Sequence, residues 1–258
     1  MRHDPRYGEP FYWWGPAWDA PAGRSIGDLL RDGTIDPGTG AVLWAALARR
    51  KSVVVVAGPS GVGKTTLLTA LLDFLPPATR RIYLRGCFEA FAFLADAAIE
   101  PRASVILVNE ISPHLPIYLW GPAVARSLAV TERGFSLLAT AHAESAAEFV
   151  GVLTGSPLRI PVSLVSAFEF VVDMGFTDDT PSGRRVRNVS RLTGTTDGIA
   201  IESLSASPHD TLAQHPSPPS APAWFPGPEL SDRQRILEAL KHRRIDALPV
   251  GRGAAPLD

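Results

Sequence analysis

The chain is poor in several things that would each have set its class. Its 258 residues hold a single cysteine, Cys87. That excludes a disulfide framework and fits a reducing compartment. No apolar stretch approaches the ~18 residues that a membrane-spanning helix needs. Acidic and basic residues nearly cancel, 26 against 25, for a formal net charge of -1. No global field therefore steers the chain toward nucleic acid or an anionic surface. The opening MRHDPRYGEP has no apolar core behind its charges, so no secretory leader is expected. The expectation is a cytoplasmic protein, with peripheral association at the inner face of the cell membrane left open. Lysine is scarce too: Lys51, Lys64 and Lys241 stand alone, and the other basic residues are arginines. The scarcity draws attention to Lys64, which lies in a glycine-rich turn.

What is present is an ordinary globular composition, 45% hydrophobic and 20% charged, enough for a substantial core. Residues 1–24 are rich in proline, glycine and aromatics without a helical or strand period. They read as an arm, either folded over the body or docking a partner. Residues 25–204 carry the body. Two helical pieces (26–48) precede a four-valine run at 53–57, which reads as a strand buried on both faces. Helices are then expected at 65–74, 88–99, 117–131 and 145–153. Strands are expected at 81–84, 104–108, 135–139 and 168–174, followed by a hairpin from 184–192 and 199–204. Strand alternating with helix predicts an α/β fold with a mostly parallel sheet flanked by helices. Residues 205–230 form a proline-rich linker. Residues 231–246 read as an amphipathic helix with Ser231 and Gln234 as a capping box, and 247–258 as a tail. A tethered helix docks either on the body or on a partner.

Residues 58–65, GPSGVGKT, fit G-x-x-x-x-G-K-[ST] without mismatch, with a strand before and a helix after. Gly58, Pro59, Ser60, Gly61, Val62, Gly63, Lys64, Thr65 and Thr66 are the expected cradle for a nucleoside triphosphate. Glycines let backbone N–H groups turn inward as an anion nest. The helix that starts at Lys64 adds its positive end, and Lys64 a point charge at the β- and γ-phosphates. The Thr65 hydroxyl is a hard oxygen suited to Mg²⁺. The next strand runs into Asn109 and Glu110, at the edge where such sheets bind ligands. Many P-loop enzymes place Asp then Glu there. Glu110 is the candidate for orienting water and a candidate metal ligand. The strand at 135–139 leads into Thr140, Ala141 and His142, and His142 is placed to hydrogen-bond a γ-phosphate. The expected fold is therefore of the P-loop NTPase (RecA-like) kind, with a short N-terminal arm and a tethered C-terminal helix.

Taken in order, GPSGVGKTTLL, VILVNEI, LLATAHAES and SAFEFVVDMGF followed by RRVRNVSRL resemble the type II/type IV secretion and type IV pilus motor ATPases. The resemblance spans residues 25 to about 204, the motor domain of that family. It implies ATP with Mg²⁺, catalysis by Glu110, His142 and Lys64, and a homo-oligomeric ring such as a hexamer. It further implies a membrane-embedded platform or other secretion or pilus proteins as partners. No basic stripe with interleaved aromatics points to nucleic acid. The family's acidic box is missing, since IYLRGCFEAF holds only Glu89. The long closing N-terminal domain of the family has no counterpart among the residues before 25. An ATP-binding regulatory or accessory subunit with little hydrolysis therefore stands as the alternative. A small-molecule kinase would need an arginine-rich lid, and the sequence shows no such segment. Arg126, Arg133 and Arg159 are candidate cations for a neighbouring subunit's site. Arg184, Arg185, Arg187 and Arg191 read as a solvated strand face or as an anionic or subunit contact.

Overall fold

Central to the architecture is β1 (Val53–Ala57), whose five residues are all buried. It lies between β4 (Ser136–His142) and β5 (Phe170–Phe176), parallel to both. The structure, a computed structural model, describes residues 6–10, 13, 23–204, 227–243 and 248. The sheet has seven strands in the order β2-β3-β4-β1-β5-β6-β7. Here β2 is Arg80–Tyr83, β3 is Ser104–Ile111, β6 is Arg184–Thr195 and β7 is Gly198–Ser203. The first five strands in that order run parallel, and β6 and β7 close the edge as an antiparallel hairpin.

Because strand side chains alternate between faces, the four valines divide between two cores. Val53 and Val55 join the core under α1 (Ile26–Arg31), α2 (Pro37–Ala48) and α3 (Lys64–Leu71). Val54 and Val56 join the core under α4 (Pro122–Ala129), α5 (Ala146–Thr154) and α6 (Val162–Val165). The helices start where their caps dictate. Ser25 and Asp28 form a capping box at α1. At α2, the Thr39 N–H donates to the Asp36 carboxylate at 2.9 Å, with Pro37 as the first helical residue.

Several expected boundaries move, each for a local reason. No α-helix spans 88–99; that segment holds only short 3-10 turns, Gly86–Phe88 and Ala92–Ala95. Phe91 and Phe93 both point into the core, a spacing of two that a helix cannot satisfy, and Phe91 has a left-handed φ of 57°. The Glu89 carboxylate accepts from the N–H groups of Arg85 and Phe91, competing with helical bonding. The helix expected from 117 begins at Pro122, behind Gly121 with its φ of 67°. Residues 112–120 instead return to the end of β3. Both β3 and β4 run longer than expected, so Glu110 and His142 belong to strands.

The last described helix, α7 (Gly227–Lys241), starts earlier than expected and leaves Ser231 inside it, so Ser231 is no cap. It docks on the body across α1 and α2. Leu237 and Leu240 are buried there, and Arg49 pairs with Glu229 at 2.8 Å. The Arg233 guanidinium lies 4.9 Å from the Trp44 ring centroid, whose other partner is the stacked Phe74 ring. This covering explains why α2 is buried nearly all round. Gly40 is the point of closest approach: a Cβ there would lie 2.9 Å from Leu237 Cδ1. At the opposite edge, β2 is covered by the arm. The Tyr83 N–H donates to the Tyr7 carbonyl at 3.0 Å, and the buried Trp13 indole donates to the Leu84 carbonyl at 2.8 Å. An edge strand protected this way is less available for stray pairing. The rest of the aromatic arm, the proline-rich segment 205–226 and most of the tail lie outside the described residues.

Two outcomes follow from this packing. Leu237→Ala removes the apolar wedge over Gly40 and is expected to destabilise the α7 contact by about 2–5 kcal/mol. Hydrogen exchange would show protection lost in α7 and on the outer face of α2 while β1 stays protected. The second concerns Asp173 in β5, paired with Val56 and Asn188. It is buried, and among the described residues its Oδ1 has no hydrogen-bond partner. Burial pushes its carboxyl from 3.8 up to about 6, against the opposing pull of the Asn188 hydrogen bond and the Arg187 cation. The folded chain therefore holds this proton more tightly than the unfolded chain. Stability falls as pH rises between those values and is flat above them, a loss of about 3 kcal/mol. Asp173→Asn should abolish that slope and leave the variant more stable than the parent above pH 6 in urea titrations across pH.

Candidate functional site

The parallel register gathers the C-terminal ends of β3, β4 and β1 side by side. Ala57 pairs with His142, and Ile111 with Ala141 past an irregularity in β3. Beyond Ala57 the chain turns through residues 58–63 into α3. Gly61 and Gly63 take φ values of +77° and +97°, the left-handed region where a side chain is strained. Gly58 is held by crowding: a Cβ there would lie 2.5 Å from Glu144 Cγ. Val62 is fully buried and anchors the loop to the core, while Pro59, Ser60 and Gly61 are exposed. Gly63 caps α3 with no side-chain hydrogen bond. Among the described residues, the first turn of α3 thus has no side-chain acceptor at its cap, a setting in which a helix end favours an anion.

Lys64, the first residue of α3, is buried, and its Nζ lies 3.6 Å from Glu110 Oε2. The separation permits an ion pair and is long for a direct hydrogen bond. Thr65 and Thr66 follow in the same turn, half-buried. The neighbouring Asn109 is buried, and among the described residues its Nδ2 has no hydrogen-bond partner. Its carbonyl accepts from the Thr140 hydroxyl of β4, tying the two strands together next to Glu110.

Three more side chains reach this edge that the sequence did not single out for it. Residues 112–120 are pinned at both ends by the Ile111–Leu119 bridge, with the Leu119 N–H donating to the Glu110 carbonyl at 2.8 Å. The pinned loop brings His114 to His142, their rings edge to face at 5.2 Å between centroids. Ligand atoms of Glu110, His114 and His142 all lie within 4.8 Å of one another. Tyr118, from the same loop, feels the same carboxylate: burial first, and then the Glu110 charge, raise its hydroxyl above the ordinary 10.0. Arg184, at the start of β6, approaches the glycine loop, where a Cβ on Gly63 would lie 3.5 Å from its Cδ. Glu110 lies near the end of β3 and His114 in the irregular loop after it, so no period could have joined them. The alternating arginines were visible, but which one faces the loop is fixed by the β5–β6 register.

Of the other charged candidates, Arg126 and Arg133 are engaged elsewhere. The Arg126 guanidinium lies over the Phe91 ring at 4.5 Å, and Arg133 donates to the Leu94 carbonyl at 3.2 Å. Arg159 is exposed with a left-handed φ of 46°.

The fold and the site's geometry define a mixed α/β protein with a polar cluster at the C-terminal edge of its parallel strands. No family model matches the chain. An uncharacterized protein of Methanocaldococcus jannaschii is 27% identical over 158 residues, covering 52% of this chain and 55% of that protein. Among solved structures, the VirB11 ATPase of the Brucella suis type IV secretion system is similar, at a TM-score of 0.40 and 22% identity. That match covers 59% of this chain and 53% of the other. The Legionella pneumophila ATPase DotB gives a TM-score of 0.33 at 14% identity, over 62% and 46% of the two chains. The chain spans about half the length of the relatives it matches. Among the described residues, no helix is long and apolar enough to cross a membrane.

The Tyr118–Glu110 coupling is directly measurable. Glu110→Gln should lower the Tyr118 pKa, read as the difference in phenolate titration between chains with and without Tyr118→Phe. Only part of the shift should revert, because burial is its larger cause. No change would place the carboxylate away from the phenol.

Proposed function

We propose that this chain binds ATP with Mg²⁺ at residues 58–66 and hydrolyses it, as a motor-like subunit of a type II/IV secretion or type IV pilus system. The observation that carries the reading is the meeting of Lys64, Glu110 and His142 at the C-terminal ends of three adjacent parallel strands. A ligand crevice in an α/β sheet is expected there.

The residues fit the phosphates. The uncapped first turn of α3, the left-handed Gly61 and Gly63, and the buried Lys64 cation all favour an anion. The Asn109 amide nitrogen, unpartnered among the described residues, is a donor suited to a phosphate oxygen. Pro59 and Val62 shape the loop, and the backbone N–H groups around Ser60 and Gly61 would face the ligand. Mg²⁺ would rest on the Thr65 hydroxyl and, directly or through water, on Glu110; when bound, it offsets charge on the phosphoryl oxygens. Phosphate would draw Lys64 away from Glu110 and free that carboxylate to orient water. His142 would hydrogen-bond the terminal phosphate. The further cation that phosphoryl transfer needs is either Arg184 of the same chain or an arginine of a neighbour in a homo-oligomeric ring, for which a hexamer is our reading. A membrane-embedded platform at the cytoplasmic side would be its partner.

A second reading, a nucleotide-binding regulatory or accessory subunit with little turnover, draws on two observations. Asn109 stands where many such enzymes have an acid. Glu89, the one acidic residue in the segment after β2, has its carboxylate committed to the backbone of Arg85 and Phe91.

Steady-state ATP hydrolysis measured over a wide range of protein concentration separates the two. The motor reading expects activity that rises with concentration, a loss of about 10²–10⁴-fold in Glu110→Gln, and loss of nucleotide binding in Lys64→Ala. Lys64-dependent binding with no turnover above that of Glu110→Gln selects the regulatory reading. If ATP does not bind at all, both readings fall.

A further inference from the structure

We propose that Glu110, His114 and His142 form a binding site for a single transition-metal dication of the zinc or cobalt type, different in kind from any Mg²⁺ carried by a nucleotide and sharing only Glu110 with it. The argument starts from donor chemistry. Two imidazoles and one carboxylate suit borderline metals such as Zn²⁺ and Co²⁺, whereas Mg²⁺ prefers oxygen donors and retains its waters. Thr65, with its hydroxyl, offers a hard ligand; in this trio only Glu110 does, and the two imidazoles favour the borderline metals.

The framework already holds the donors together. His142 ends β4 and is fixed by its pairing with Ala57. Glu110 sits in β3, its carbonyl bonded to the Leu119 N–H. The His114 N–H donates to the Ser112 hydroxyl at 3.2 Å, inside the loop that the Ile111–Leu119 bridge closes. The three ligand atoms lie within 4.8 Å of one another. Tetrahedral ligation at bond lengths of about 2.1 Å sets donors about 3.4 Å apart, a closure that small side-chain rotations provide. Both histidines are exposed at the surface and Glu110 is nearly buried, so an ion can enter from solvent and meet the carboxylate from the open side. Three protein ligands leave coordination positions for water or an anion.

Lys64 sets the terms of binding. Its ammonium, 3.6 Å from Glu110, competes with a metal for the same carboxylate. Metal binding and the Lys64–Glu110 pair therefore oppose each other. Removing the lysine charge should tighten the metal site, the reverse of its expected effect on a nucleotide. The inference rests on the donor geometry alone and stands or falls independently of the ATPase reading.

Co²⁺ titration of the purified chain, followed by visible absorption and by calorimetry without nucleotide, is the test. One Co²⁺ per chain should bind with visible d–d bands, be displaced by Zn²⁺ and survive an excess of Mg²⁺. His114→Ala and His142→Ala should each weaken it by more than the roughly 10–100-fold typical of losing an outer-shell partner. Lys64→Ala should bind Co²⁺ at least as tightly as the parent. Circular dichroism checks that each variant is folded, and the surface position of both histidines favours that; Glu110→Gln serves as the third arm. No absorption change in the folded parent overturns the proposal. So does displacement by Mg²⁺, or Co²⁺ affinity unchanged in both histidine variants, which would move the ion to histidines elsewhere in the chain.

Discussion

The structure depends on one constraint, the burial of β1 on both faces between two parallel neighbours. A strand of valines cannot alternate polar and apolar positions, so it demands a core above and a core below, and the helices divide accordingly. Parallel pairing also brings the C-terminal ends of neighbouring strands to one edge of the sheet. Everything polar that the chain gathers follows from that: the turn after β1, Glu110 from β3, and His142 opposite Ala57. An antiparallel partner at either position would have sent one of these groups to the far edge.

At that edge, charge is concentrated, part of it buried. Lys64 is buried and pairs with Glu110 at a distance longer than a tight hydrogen bond. Burying an ammonium is costly unless an anion compensates it, and breaking such a pair is more costly still. The pair is thus a resting arrangement with two natural competitors. An anion at the start of α3 draws off the lysine, and a cation at the histidines draws off the carboxylate. In the proposed readings, the same carboxylate is the point where nucleotide chemistry and metal binding meet. The Tyr118 hydroxyl, raised by burial and by the Glu110 charge, belongs to the same electrostatic unit.

Away from the site, the chain protects its own surfaces. The arm lays Tyr7 and Trp13 along the edge strand β2, and α7 lays Leu237 over Gly40. Both devices join the ends of the chain to the body. The sequence left each of them open between body and partner, because an aromatic cluster and an amphipathic helix state that they need an apolar surface without stating whose. Only the complementarity of a glycine to a leucine, and of an arginine to the outer face of Trp44, decides it.

Much of the fold could be read directly, because its signals are local. The valine run, the punctuation by glycine and proline, and the spacing of the lysine and threonines in GPSGVGKT each depend on neighbours in the chain. The failures were also physical. Residues 88–99 looked helical by composition, but Phe91 and Phe93 turn inward together and Glu89 bonds the backbone in place of helical carbonyls. Glu110 and His142 could be named because each follows an apolar run. His114, Tyr118 and Arg184 could not, since a loop closure and a strand register bring them in. A valine-centred α/β sheet and the glycine turn that follows its middle strand are written in the residues, since both follow from local sterics and hydrophobic period. Tertiary structure alone decided which side chains share the space in front of that turn. Distances between groups remote in the chain depend on how strands pair and loops close, which no local pattern encodes.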